Sequence, residues 1–142
     1  METEPKIIAD YIATGKVKLI YRHLAQIGAG SVSTGEASEC AADQGRFWPM
    51  HDMLYARQDE VYASADLDAT LVGFAKDLGL DTAPFSDCMQ NHKHREAVLA
   101  DYQAAQAAGV RSRPVFDVAG QRIIGGQPFS VFQKLIDAAL AR

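Results

Sequence analysis

The stretch Pro114-Val115-Phe116-Asp117-Val118-Ala119-Gly120-Gln121-Arg122-Ile123-Ile124-Gly125-Gly126-Gln127-Pro128-Phe129 carries the sharpest structural signal in the chain. Branched and aromatic residues flank Ala119-Gly120, so the pattern predicts two short strands, Pro114–Val118 and Arg122–Ile124, joined by a tight turn. Gly125 and Gly126 break the hairpin. Pro128 then opens a last helix in which Phe129, Phe132, Leu135, Ile136, Ala139 and Leu140 share one buried face.

Upstream of the hairpin the pattern is helical for most of the chain. Thr3 to Thr14 reads as a helix, with Ile7, Ile8, Tyr11 and Ile12 on one side and Gly15 at its end. Lys16-Val17-Lys18-Leu19-Ile20-Tyr21-Arg22 alternates as a strand should. A loop is expected from Ala25 to Val32. Ser33, with Glu36 three residues on, makes a capping box for a helix carrying Ala37, Cys40, Ala41 and Gln44. Phe47, Trp48, Met50, His51, Leu54 and Tyr55 form the next amphipathic piece, with Phe47 and Trp48 expected as core anchors. Further helices are predicted from Ser64 to Leu78, from Thr82 past Cys88 and Met89, and from about Lys93 to Ala108. The order is helix, strand, helical block, hairpin, helix, which is a mixed α/β arrangement.

Bulk properties narrow the function classes. The chain has 142 residues, 48% of them apolar and 23% charged, the size and balance of one soluble domain. A net charge of −4 with no clustering of Lys and Arg leaves no footprint for nucleic acid. No apolar run reaches bilayer length, and Met1-Glu2-Thr3-Glu4-Pro5-Lys6 is not the start of a signal peptide. Neither a nucleic-acid partner nor membrane insertion is expected. Cys40 and Cys88 stand in no Cys-x-x-Cys or zinc-ligand spacing. Cys88, His92 and His94 form Cys-x3-His-x-His, but no fourth ligand is indicated and the surrounding residues are polar. That stretch reads as an exposed face, so no metal and no cofactor is expected.

Several of these stretches resemble the DsbA family, thioredoxin-fold proteins with a helical insertion. Tyr11 to Arg22 is similar to the family's first helix running into its next strand. Glu39-Cys40-Ala41-Ala42-Asp43-Gln44-Gly45-Arg46-Phe47-Trp48-Pro49-Met50-His51-Asp52 resembles the signature of the helical insert. Gly109-Val110-Arg111-Ser112-Arg113-Pro114-Val115-Phe116 is similar to the family's cis-proline loop, and Gly126-Gln127-Pro128-Phe129 to the turn into its final helix. The resemblance implies a single thioredoxin-like domain over residues 1–142. Within it, residues 1–24 form the first helix and strand, 33–108 the helical insertion, and 112–142 the cis-proline strand, hairpin and C-terminal helix.

The resemblance also implies thiol–disulfide oxidoreductase activity on extended or unfolded polypeptides, in a periplasmic or otherwise extracytoplasmic compartment. Here the chain departs from the pattern. The family places a central strand and a Cys-x-x-Cys ahead of the first helix, and the sequence contains neither. Dithiol catalysis is therefore not expected of the sequence as given, because disulfide exchange needs an attacking thiolate and a resolving thiol. Two expectations follow: Met1 is an internal methionine of a longer protein, or the chain is a non-catalytic peptide-binding or assembly module. The open sheet edges should favour homodimerisation, strand exchange or marginal stability.

Individual residues keep two readings at this stage. Pro114 read locally is a trans proline opening an edge strand, since only about one X–Pro bond in twenty is cis. The resemblance makes it the cis-proline, which with Arg113 forms the candidate substrate-binding site. Cys40 and Cys88 are either buried free thiols or a structural disulfide closing a loop of about fifty residues, worth at most roughly 4 kcal/mol. The oxidising compartment implied by the resemblance favours the disulfide. His51, between Met50 and Met53, reads as a packing or hydrogen-bonding residue rather than an acid–base pair with Asp52.

Overall fold

The computed structural model describes residues 3–142, which form eight α-helices and one hairpin. Helix α1 (Thr3–Ile7) passes into a wider π-type turn over Ile8–Ile12. Six helices follow: α2 (Gly28–Ala42), α3 (Phe47–Ala56), α4 (Gln58–Ala63), α5 (Leu67–Asp77), α6 (Thr82–Gln90) and α7 (Arg95–Ala107). Strands β1 (Val115–Val118) and β2 (Gln121–Ile124) precede α8 (Phe129–Leu140). Two compact units emerge, one of Met1–Tyr21 with Gln106–Arg142, the other of Arg22–Ala105.

In the first unit, β1 and β2 pair antiparallel with Val115 opposite Ile124 and Val118 opposite Gln121. The turn needs positive φ at both central residues, and it has them: Ala119 at +49° and Gly120 at +82°. Only the glycine takes that geometry without steric cost. Arg122 braces the hairpin, with a bidentate pair to Asp117 and a 2.7 Å bond to the Ala108 carbonyl. Tyr11, Ile123, Phe132 and Ile136 form the buried centre of this unit, with Ile7, Val17, Phe116, Val118, Phe129 and Leu135 packed around it. The i, i+4 spacing of Phe132 and Ile136 is what aims α8 at the hairpin.

The strand expected over Lys16–Arg22 does not form. Its burial still alternates residue by residue, with Val17, Leu19 and Tyr21 half-buried and Lys16, Lys18, Ile20 and Arg22 exposed. A period of two makes a segment fit for a sheet, but a strand also needs a neighbour to exchange hydrogen bonds with. Among the described residues the sheet has only β1 and β2, so the segment has no ladder. The expected Thr3–Thr14 helix ends two residues early, at Ile12, and its second half is π-type rather than α.

In the second unit the core is Ala37, Cys40, Ala41, Met50, Leu71, Phe74, Ala75, Leu80, Phe85, Cys88 and Met89. It joins the inner faces of α2, α3, α5 and α6. Asp66 caps α5 through the Ala69 N–H, and Asp81 caps α6 through the Ala83 N–H. Arg57 lies 4.2 Å over the Phe74 ring while pairing with Glu60 and Asp77, which closes the corner between α3, α4 and α5.

Three expectations are corrected here. Helix α2 begins at Gly28, inside the expected loop, so Ser33 and Glu36 lie in its interior and form no capping box. Ser31 Oγ instead accepts from the Ile27 N–H at that helix's start. Helix α4 lies in a span where no helix is predicted, and Ser64 closes it rather than opening α5. Trp48 is 39% exposed, because the turn of α3 that sends Met50 inward carries position 48 roughly 200° away around the axis.

Candidate functional site

Three places in the chain hold chemistry worth weighing. The first is the loop that enters β1. Gly109 (φ +73°) ends α7, and the chain then runs through Arg111, Ser112, Arg113 and Pro114, all exposed, into Val115. The Arg113–Pro114 peptide bond is cis. The Pro114 carbonyl accepts from the Gly125 N–H at 2.8 Å. That bond sets the alternation of the ladder: Phe116 and Val118 exchange hydrogen bonds with β2, whereas Val115 and Asp117 turn their N–H and C=O groups away from it. β1 thus presents an outer row of backbone donors and acceptors directly after Pro114.

The second place surrounds the cysteines. Cys40 on α2 and Cys88 on α6 form a disulfide across 48 positions, with Cα atoms 5.9 Å apart. Cys40 is 1% exposed and Cys88 7%. Beside the bridge sits Asp43, whose Oδ2 accepts from Lys93 Nζ at 2.8 Å and meets His94 Nε2 at 2.9 Å. These two neighbours, Lys93 first, hold the Asp43 carboxyl below the usual carboxylate range. Cys88 Sγ is 3.8 Å from the same oxygen. A disulfide sulfur has no proton, so this is a contact and not a hydrogen bond. A cavity of about 250 Å³ opens against both half-cystines, Asp43, Pro84, Asp87 and Lys93.

The third place is a band of histidines paired with carboxylates in the same unit. Glu36 is 1% exposed, and His92 Nδ1 meets its Oε1 at 3.1 Å. His23 is buried, with Nε2 2.8 Å from Glu39 Oε1. His51 Nδ1 lies 3.0 Å from Asp52 Oδ1, and its ring contacts Phe47, Trp48 and Tyr55. His51 thus packs among aromatic rings.

Sequence reasoning singled out Arg113, Pro114, Cys40 and Cys88. The structure puts the first two together on one loop and joins the second two in a bond. The sequence pattern does not single out Asp43, an acid of the insert signature four residues before Phe47. Spacing groups His92 with His94 and Cys88, whereas in the structure His92 turns to Glu36 and Asp43 takes its place. The spacing Cys40-x-x-Asp43 at the end of α2 was the available signal, since positions three apart share a helix face.

The order of elements, the hairpin before a last helix and the large helical block define a thioredoxin-type protein with an insertion. Comparison agrees: the chain matches the family model described as thioredoxin over residues 1–138, and it belongs to that family. Its fold is of the DsbA-like kind, superposing on oxidised BdbD from Bacillus subtilis with a TM-score of 0.87, at 21% identity, over 99% of this chain and 78% of that one. It is 26% identical over 142 residues to a probable disulfide bond formation protein D of Bacillus anthracis, covering 97% of this chain and 64% of that protein. It is also 30% identical over 138 residues to a Na(+)/H(+) antiporter NhaA 3 of Salinispora tropica, covering 96% of this chain. The chain spans only 20% of that antiporter's length. Among the described residues no helix is long and apolar enough to cross a membrane.

Proposed function

We propose that this chain is the scaffold of a DsbA-type thiol–disulfide oxidoreductase acting on extended or unfolded polypeptides outside the cytoplasm. In this reading residues 33–108 are an insertion into a single thioredoxin-like frame made by 1–24 and 112–142. The observation that carries it is the Arg111–Pro114 loop, exposed at all four residues and leading straight into β1. An extended chain aligned along that loop can be held through main-chain hydrogen bonds without regard to its side chains. That suits a catalyst that must accept many substrates.

Turnover is a separate matter. Exchange needs a thiolate that attacks a substrate disulfide and a second thiol that resolves the mixed disulfide. The sequence carries no Cys-x-x-Cys, and among the described residues there is no free cysteine. As given, then, the chain holds polypeptide but does not exchange electrons with it.

The test has two arms. The chain as given and a version extended upstream by its own reading frame are assayed for insulin reduction and dithiol oxidation. An upstream strand with Cys-x-x-Cys and activity only in the extended version supports the oxidoreductase reading. A stop codon with no such segment overturns it and leaves a peptide-binding module. Activity in the chain as given overturns the inactivity. Binding is followed with a fluorescent extended peptide, comparing the wild-type chain with Pro114→Ala. Circular dichroism checks that the variant keeps its fold. Loss of binding in the folded variant supports the loop as the binding site; unchanged binding argues against it. Size-exclusion chromatography checks whether the open edge also draws in a second copy.

A further inference from the structure

We infer that reduction of the Cys40–Cys88 disulfide creates a tetrahedral site for a zinc-type divalent cation, built from both cysteine sulfurs, Asp43 and His94. The ligand atoms of Asp43, Cys88 and His94 all lie within 4.8 Å of one another. Cys40 is bonded to Cys88 and needs only to part from it. Two thiolates, one carboxylate and one imidazole form a complete four-ligand set for zinc.

The spacing fits the ion. Zinc bonds of about 2.0–2.3 Å at tetrahedral angles put neighbouring ligand atoms roughly 3.3–3.8 Å apart. Asp43 Oδ2 is 3.8 Å from Cys88 Sγ, inside that range, and 2.9 Å from His94 Nε2, a hydrogen-bond distance that has to widen slightly as the ion enters. Opening the bridge lets the two sulfurs relax towards the same separation. The site sits where α2 ends and at the turn between α6 and α7, so two of its ligands, Cys40 and Cys88, belong to helices already packed in one core, and Asp43 directly follows α2.

The chemistry balances without any redox change at the metal. A dithiol reductant attacks one bridge sulfur, and its second thiol then resolves the mixed disulfide. It leaves as its own disulfide, and two electrons end on Cys40 and Cys88 as thiols. The cation binds both as thiolates and two protons pass to solvent. Lys93, now 57% exposed at its side chain and paired to Asp43, swings into water as the metal takes over the carboxylate. The cavity beside the bridge gives the ion a path in. In the oxidised form the sulfurs have no charge to offer and Asp43 is already occupied by Lys93 and His94. The site is therefore closed to metal until the bridge is cut.

The test uses the whole chain, oxidised or reduced with a water-soluble phosphine that is then removed anaerobically. Cobalt(II) and zinc are titrated in. The reduced protein is expected to bind one equivalent, with tetrahedral cobalt absorption and a sulfur-to-cobalt charge-transfer band, and the oxidised protein none. Asp43→Asn and His94→Gln should each weaken zinc by more than the about 10- to 100-fold that loss of an outer-shell partner costs. His92→Gln should leave it unchanged. The inference is overturned if the reduced protein takes up no metal, if the oxidised protein binds equally, or if Asp43→Asn with His94→Gln retains wild-type affinity. Should a variant fail to fold, X-ray absorption on zinc-loaded wild type decides: two sulfur neighbours support the site, and none overturns it.

Discussion

The Tyr11 hydroxyl donates a 2.7 Å hydrogen bond to Asp137 Oδ1, joining the start of the chain to α8 across 126 positions. That bond to a carboxylate, followed by burial, raises the phenol's pKa above its ordinary value. A raised pKa means the contribution is fully present below pH 10, the phenol's ordinary value, and is lost as pH climbs through the folded-state value. Tyr11→Phe should therefore lower Tm at neutral pH, and the gap from wild type should close in strongly alkaline buffer. A gap constant from pH 7 to 12 would sink this, those limits being about three and two units either side of the ordinary phenol value.

Gly35 lies in the buried interior of α2, where an added Cβ would meet Val98 Cγ1 at 2.9 Å and His23 Nδ1 at 3.2 Å. Val98 is fully buried and its branched side chain has little rotamer freedom to yield. Gly35→Ala, normally favourable in a helix, should here destabilise by about 1–3 kcal/mol through overpacking. Urea unfolding measures it, and a stabilised variant would contradict the packing described.

Ala119 holds φ +49° in the hairpin turn. Alanine pays for that backbone with about 1–2 kcal/mol of steric conflict, and asparagine tolerates it better. Ala119→Asn makes an Asn-Gly turn and should stabilise the chain by roughly 0.5–1 kcal/mol. A drop in Tm would mean the turn is not of this type.

The Cys40–Cys88 bridge closes a loop of 48 positions. The chain-entropy relation puts its worth near 4 kcal/mol at most, and replacing both cysteines by alanine should cost about 2–4 kcal/mol. Alkylation and mass measurement before and after reduction count the thiols, and urea midpoints give the energy. An unchanged midpoint would show the bridge to be idle in the fold.

Much of this architecture was open to reading from local pattern. The hairpin and α8 were legible because strand alternation, a two-residue turn, a proline and an i, i+4 apolar stripe all agree within thirty residues. The start of α2 was not, because Ser33-x-x-Glu36 imitates a capping box. Only tertiary packing shows Glu36 to be buried, with His92 as its partner. Lys16–Arg22 kept the burial rhythm of a strand without the ladder, since pairing depends on another segment and not on the residues themselves. The cysteine neighbourhood was half visible: spacing suggested His92 beside Cys88, and the chain's path supplied Asp43. Helix periodicity tells which residues share a face, but not which faces meet.

One consequence follows from the outward amides of Val115 and Asp117. A strand laid along them is gripped through its peptide groups at every second residue, while its side chains point up and down out of that plane. In a thioredoxin-type sheet this margin is the seat of the central strand, so a peptide docked there is a rival of the sheet's own member and not a passing substrate.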